Sequence, residues 1–188
     1  MSRRARLPDA GYSLLEMLMV IAILGTIAAI GIPYGLHMTG QMRLNAAMRE
    51  VERELQTARL KAVTSNRTLQ VRFNCPAANQ YRIVEVMNNA AIDNTGNRCN
   101  EATYPVRPVR DNDPVTPDYD GPVRYLTNQV AFTAANAVVF QFAPTGVTFQ
   151  IVNGARQAVG AAGADLTLAK GSHTGSVNIN GLGRIRIQ

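Results

Sequence analysis

From Met17 to Met42 the chain carries no Asp, Glu, Lys or Arg, and Met17 to Ile32 reads MLMVIAILGTIAAIGI. With Leu14 and Leu15 this makes about 20 nearly apolar residues, the length a helix needs to cross a bilayer. Arg3, Arg4 and Arg6 stand ahead of it, and a basic flank keeps the N-terminus in the cytoplasm while the remainder is carried across. A buried helix of a soluble domain is the alternative, and both the length and the flank argue against it. A cleaved secretory signal is another rival. The continuation Pro33-Tyr34-Gly35-Leu36 offers no small-residue cleavage site for it.

Between Arg43 and about Ser65 the apolar positions keep helical spacing. Leu44, Ala47, Met48, Val51, Leu55, Ala58 and Ala62 recur every three or four residues and form one stripe, which predicts burial against a following sheet. Arg43, Arg49, Glu50, Glu52, Arg53, Glu54, Arg59 and Lys61 occupy the other faces and read as a solvated surface with local charge pairs. After residue 66 the period becomes two. Thr68 to Phe73 and Gln80 to Met87 predict a strand pair joined near Cys75-Pro76-Ala77-Ala78-Asn79. Asn88 to Arg124 holds Pro105, Pro108, Pro114, Pro117 and Pro122 and reads as a long irregular loop, with one short strand near Thr103 to Val109. Strands resume at Val130, with further runs at Ala137 to Phe142, Val147 to Val152, Leu166 to Leu168, Ser176 to Asn180 and Arg184 to Ile187. The Gly/Ala-rich stretch Ala155 to Ala164 predicts a flexible hairpin tip; it lacks the lysine and strand-helix setting of a phosphate loop.

Composition changes this picture little. Of 188 residues, 46% are apolar and 17% charged, with a net charge of +6, which excludes a disordered chain and fits one head domain with an appendage. Without Trp, and with two His and two Cys, there is little material for a metal cluster or a His-based catalytic site. No metal, cofactor or enzymatic activity is expected. Ser172-His173 near Asp165 suggests a nucleophile with a base, but neighbours on a strand point to opposite faces and no supporting motif accompanies them. Cys75 and Cys99, 24 positions apart, favour a disulfide outside the cytoplasm, with free buried thiols as the alternative. A metal site shared with His37 or His173 lacks a second paired-ligand motif.

The boundary ahead of the apolar run reads Gly11, then Tyr12-Ser13-Leu14-Leu15-Glu16. This resembles the type IV prepilins and the pseudopilins of type II secretion. The resemblance implies cleavage after Gly11 by a prepilin peptidase and N-methylation of Tyr12, where Phe or Met is the more frequent residue. It also implies that Glu16 pairs with the N-terminal amine of a neighbouring subunit. A carboxylate and an ammonium lower each other's desolvation cost in an apolar filament core. Pro33 sits where such helices kink, since proline removes an internal hydrogen bond. The implied architecture is α+β: a long N-terminal helix, its first half transmembrane, packed on an antiparallel β-sheet head. It divides into a leader at 1–11, a membrane and filament-core helix at 12–33, an amphipathic continuation at 34–65 and a periplasmic head at 66–188.

Within the head, Val139-Phe140-Gln141-Phe142-Ala143-Pro144-Thr145-Gly146 and Gly181-Leu182-Gly183-Arg184-Ile185-Arg186-Ile187 resemble the H-type minor pseudopilins (GspH) and the FimT-like minor pilins. Ile185 and Ile187 alternate with Arg184 and Arg186, so both arginines project from one face, roughly 6.6 Å apart, a spacing that suits successive phosphates. Residues 121–188 carry five basic residues, Lys170 among them, against Asp165 alone. Read from spacing alone, two arginines on an edge strand are better explained as keeping it soluble and unpaired. Gly183-Arg184-Ile185-Arg186 matches the Gly-Arg-x-Arg ending implicated in DNA capture by FimT-like minor pilins. The resemblance therefore implies a minor pilin at or near a filament tip in the bacterial inner-membrane machinery, with other major and minor subunits as partners. It further implies double-stranded DNA as a ligand, with Gly183, Arg184, Arg186 and Lys170 as its site. The other reading is an H-type pseudopilin of type II secretion without DNA binding. No aromatic residue interleaves the tail, so any contact is phosphate-led, non-specific and salt-sensitive.

Overall fold

The computed structural model describes residues 13–93, 95–107, 119–127, 129–133 and 138–188; Gly11, Tyr12 and most of the Pro-rich loop lie outside them. One helix, α1, runs from Leu14 to Ser65. The chain divides into two compact units, Met1–Thr39 and Gly40–Gln188.

In the first unit, Leu14–Ile32 has a mean hydropathy of 2.3 and none of its apolar window is buried within the protein. The Ser13 carbonyl opens the helix, accepting from the amides of Glu16 at 3.0 Å and Met17 at 3.2 Å. Thr26, a polar residue in this span, donates its hydroxyl to the Ile23 carbonyl at 2.7 Å, so it places no unsatisfied group in lipid. Position 33 lies inside α1.

The second unit begins with the amphipathic part of α1. Leu44, Ala47, Met48, Val51, Leu55, Ala58 and Ala62 are all buried, as their spacing requires. Around them fold β1 (Leu69–Phe73), β2 (Gln80–Glu85), a short helix α2 (Ala90–Asp93), β3 (Arg124–Tyr125), β4 (Ala131–Phe132), β5 (Val138–Phe142), β6 (Thr148–Val152), β7 (Ala155–Ala158), β8 (Ala164–Lys170), β9 (His173–Ile179) and β10 (Ile185–Ile187). Every strand pairing is antiparallel. They form two sheets, in the orders β3-β2-β1-β5-β6-β7 and β10-β9-β8-β4. Apolar residues of both sheets join the helical stripe in a single core. A stripe of this width is too broad for one sheet face to cover. At its centre Phe73 packs edge-on against Phe132 and Phe140, with ring centroids 5.0 and 6.4 Å away.

Two expectations need correction. Residues 155–158 are not a loose tip but a strand, β7, paired with β6 from Val152↔Ala155 to Phe149↔Ala158. The two-residue turn Asn153-Gly154 has φ of 51° and 76°, the left-handed pair that closes tight hairpins; it outweighs the Gly/Ala composition that follows. The short strand expected at 103–109 is, among the described residues, turns followed by a lone bridge between Arg107 and Asp120.

Among the ties that hold the irregular segment, two stand out. Cys75 and Cys99 form a disulfide, with Cα atoms 5.6 Å apart. Beside it Arg98, fully buried, donates two hydrogen bonds to Asp120 at 2.6 and 2.7 Å and one to the Glu85 carbonyl at 3.0 Å. Burial pushes the Asp120 carboxyl up, against the opposing pull of the Arg98 bonds. Burial, aided by repulsion from Arg98, lowers the neighbouring Arg72 to about 10. Asp120→Ala therefore strands a buried guanidinium and is expected to lower unfolding stability by about 3–5 kcal/mol. Urea denaturation of the purified protein in detergent measures this; an unchanged midpoint would show that the pair does not hold the segment.

Candidate functional site

The hairpin of β9 and β10 pairs Ile179 with Ile185, Asn178 with Arg186 and Val177 with Ile187. Its turn is fixed from within. Asn180 donates its amide to the Arg184 carbonyl at 3.0 Å and accepts at its own carbonyl from the Gly183 amide at 2.9 Å. The Asn180 Oδ1 accepts from the amides of Leu182 at 3.2 Å and Arg184 at 2.8 Å. This is the Asx-type bonding that makes Asn a turn former. Gly183 takes φ of 76°, a backbone that only glycine adopts without strain.

The turn is also clipped to its surroundings. The Gly181 amide donates to the Gly160 carbonyl at 3.3 Å, and its carbonyl accepts from Thr148 at 2.9 Å. From α1, the half-buried Arg59 donates Nε to the Gly146 carbonyl at 3.3 Å and Nη2 to the Leu182 carbonyl at 3.0 Å. A Cβ on Gly183 would overlap the Arg59 side chain, and one on Gly146 would press on the same guanidinium. Two glycines far apart in sequence thus meet on one helical arginine.

This framework sets the outward face. Ile179 and Ile185 are buried while Arg184 and Arg186 are exposed. Neither of these guanidiniums has a hydrogen-bond or ion-pair partner among the described residues. Asn178 and Asp165 stand on the same side, paired directly across β9 and β8, with Asn178 Nδ2 donating to Asp165 Oδ1 at 2.7 Å. Two strand spacings put Asp165 about 10 Å from Arg186.

Of the basic residues expected together, Arg184 and Arg186 meet and Lys170 does not. Lys170 pairs with His173 at the opposite end of β9, roughly 20 Å along the strand from Arg184, and donates to Gln129 at 2.9 Å. Antiparallel pairing of β8 with β9 carries it away from the turn. The same register separates His173 from Asp165, which pairs with Asn178. Glu16 is exposed in the first turn of α1, and Gly11 and Tyr12 lie outside the described residues.

The helix charges were read as solvated, and four are not; Lys61 donates to the Tyr119 hydroxyl at 2.7 Å. Glu54 is buried against Arg124. Glu50 accepts from the Tyr81 hydroxyl at 3.2 Å, and burial, reinforced by Glu50, raises the Tyr81 phenol above its ordinary value. Arg59 holds the turn. The signal was present: Glu54 lies three residues after Val51 and four before Ala58, and Arg59 lies four after Leu55 and three before Ala62. Stripe spacing applies to charged residues as well as to apolar ones.

Two family models match the chain. The prokaryotic N-terminal methylation motif matches residues 6–32, and type II transport protein GspH matches residues 47–183. The second match stops at Gly183, one residue short of Arg184. No curated protein matches. Among solved structures, a crystal structure of the type IV minor pilin FimU from Pseudomonas aeruginosa PAO1 is similar at 13% identity with a TM-score of 0.45, covering 80% of this chain and 92% of that one.

Gly183→Ala combines a disfavoured φ with a clash against Arg59, and is expected to cost about 1–3 kcal/mol. In an Arg59→Ala background the penalty shrinks, because of the steric overlap only the close approach to the Gly146 carbonyl remains; a double-mutant cycle by thermal unfolding measures the coupling. Additive costs would show that Arg59 and Gly183 do not act together.

Proposed function

The chain belongs to the family of the type II transport protein GspH, a family of minor pilin and pseudopilin subunits, and we propose that it captures DNA at a filament tip. The family is structural rather than catalytic. The N-terminal methylation motif on an apolar helix goes with membrane anchoring, processing by a prepilin peptidase and assembly with other pilin subunits. In our reading the peptidase cuts after Gly11 and methylates Tyr12, and Glu16 then pairs with a neighbour's N-terminal amine. The basic leader keeps the N-terminus cytoplasmic and the head periplasmic, and Pro33 relaxes the helix for packing.

The observation that carries the DNA reading is the pair of exposed guanidiniums, without partners among the described residues, on a turn held by several backbone hydrogen bonds. Held about 6.6 Å apart, they meet successive phosphates of one strand without having to order a loop first. Guanidinium forks bind phosphate well, and the contact carries no base information. The binding is therefore non-specific, as uptake of arbitrary DNA in natural transformation requires. The family match ends before both arginines, and an H-type pseudopilin without DNA binding is the second reading.

Two measurements separate these readings. Arg184→Ala with Arg186→Ala is expected to weaken binding of a short duplex at low salt roughly tenfold or more, and to flatten the slope of log affinity against log salt by about 2. Unchanged affinity and slope in the full chain, purified in detergent, favour the secretion reading. Glu16→Ala is expected to abolish incorporation into filaments while leaving membrane insertion and head stability intact, checked by shearing and immunoblotting; normal incorporation would remove Glu16 from assembly.

A further inference from the structure

Leu182 occupies the tip of the same turn and is 77% exposed, more than any other large apolar side chain described from Gly40 onward. An exposed leucine on a mobile loop would signify little. This one is held by its own amide on Asn180 Oδ1, by its carbonyl on Arg59, and by the bonded neighbours Gly181 and Gly183. The protein has thus fixed an apolar side chain in water, with nothing among the described residues to cover it.

Its surroundings restrict what can. Arg184 lies two residues away and Arg186 four, both exposed and unpaired among the described residues. From Leu166 to Gln188 the chain holds no acid. Beside Leu182 lies a shallow depression of about 360 Å³ lined by Val159, Gly160, Ala161, Asn180 and Gly181, with no charged side chain in it. A cationic rim around an uncharged apolar tip is complementary to a polyanion with an apolar interior. Duplex DNA has this character: phosphates outside, deoxyribose and base faces within.

We infer that Leu182 is a wedge that enters the minor groove and partly unstacks a base step, while Arg184 and Arg186 grip the adjacent phosphates. This rests on the DNA-binding reading above and deepens it. Apolar side chains inserted in this way kink the duplex away from the minor groove, and flexible pyrimidine–purine steps give way most readily. Sequence-independent capture would then carry a mild preference for deformable steps. The depression beside the tip would receive the sugars of the splayed strand.

Counterion release gives the two contacts different signatures. Phosphate contacts set the salt slope, whereas an apolar insertion does not. In the full chain in detergent, titrated by anisotropy against a 30-bp duplex over a range of salt, Leu182→Ala is expected to lose roughly five- to tenfold in affinity. The loss should be the same at every salt concentration, with an unchanged slope. Energy transfer between dyes on the duplex ends should show a bend with the parent protein and with Leu182→Phe, but not with Leu182→Ala. Because the side chain is exposed, the thermal midpoint should not move. If Leu182→Ala binds and bends like the parent while Arg184→Ala with Arg186→Ala still flattens the slope, the wedge is wrong and the DNA reading stands. If the arginine variant too is unaffected, both fall. If Leu182→Ala spares DNA but lowers filament incorporation, the tip contacts a protein subunit and the wedge is likewise overturned.

Discussion

The amphipathic stretch of α1 from Leu44 to Ala62 is the surface on which the whole head is built. Its seven apolar positions are buried, and residues of both sheets close against them in one core. The edge strands of the second sheet, β4 and β10, are two- and three-residue strands with little area of their own. Removing an apolar residue from this stripe therefore loosens two layers at once. The same stripe admits charge only where a partner waits. Glu54 meets Arg124, and Arg59 meets the carbonyls of Gly146 and Leu182.

Arg59 gives the head signatures their physical meaning. The Phe-x-Pro-x-Gly turn at 142–146 and the Gly-Leu-Gly ending at 181–183 lie in different sheets, yet each brings a glycine to the same guanidinium. A Cβ at either place would displace it. The glycines are there for close approach, and the motifs mark a joint between helix, first sheet and second sheet. Gly183 thus has a scaffold role of its own. The neighbouring arginines inherit a rigid base from it.

Elements with strong local periodicity were legible from sequence. The apolar span, the helical stripe, the first strand pair and the final hairpin all follow from spacing, and the disulfide was expected from the even pair of cysteines. What was missed depends on pairing between distant segments. Arg98 with Asp120 joins residues inside a segment that has no periodicity to read. β7 was masked by Gly/Ala composition, although Asn153-Gly154 announced its turn. Lys170 was grouped with the terminal arginines by charge along the chain, and only the register of β8 on β9 shows that they stand at opposite ends. Charge counted by sequence window says how basic a region is, not where its field points.

The placement of the arginines on an edge strand has a further consequence. Among the described residues β10 has no partner on its outer side, so Arg184 and Arg186 stand at the rim while Asp165 stands two strands inward on the same face. At about 10 Å the carboxylate is roughly one Debye length from Arg186 at 0.1 M salt. It repels a phosphate over the middle of the sheet more than one over the edge. On the proposed DNA-binding reading, a nucleic-acid backbone would be steered along β10 toward the turn, where Leu182 stands. Edge arginines also prevent this strand from pairing with another chain, and that role and ligand capture do not compete. A strand kept free of β-partners by exposed guanidiniums is, for the same reason, a strand open to phosphate.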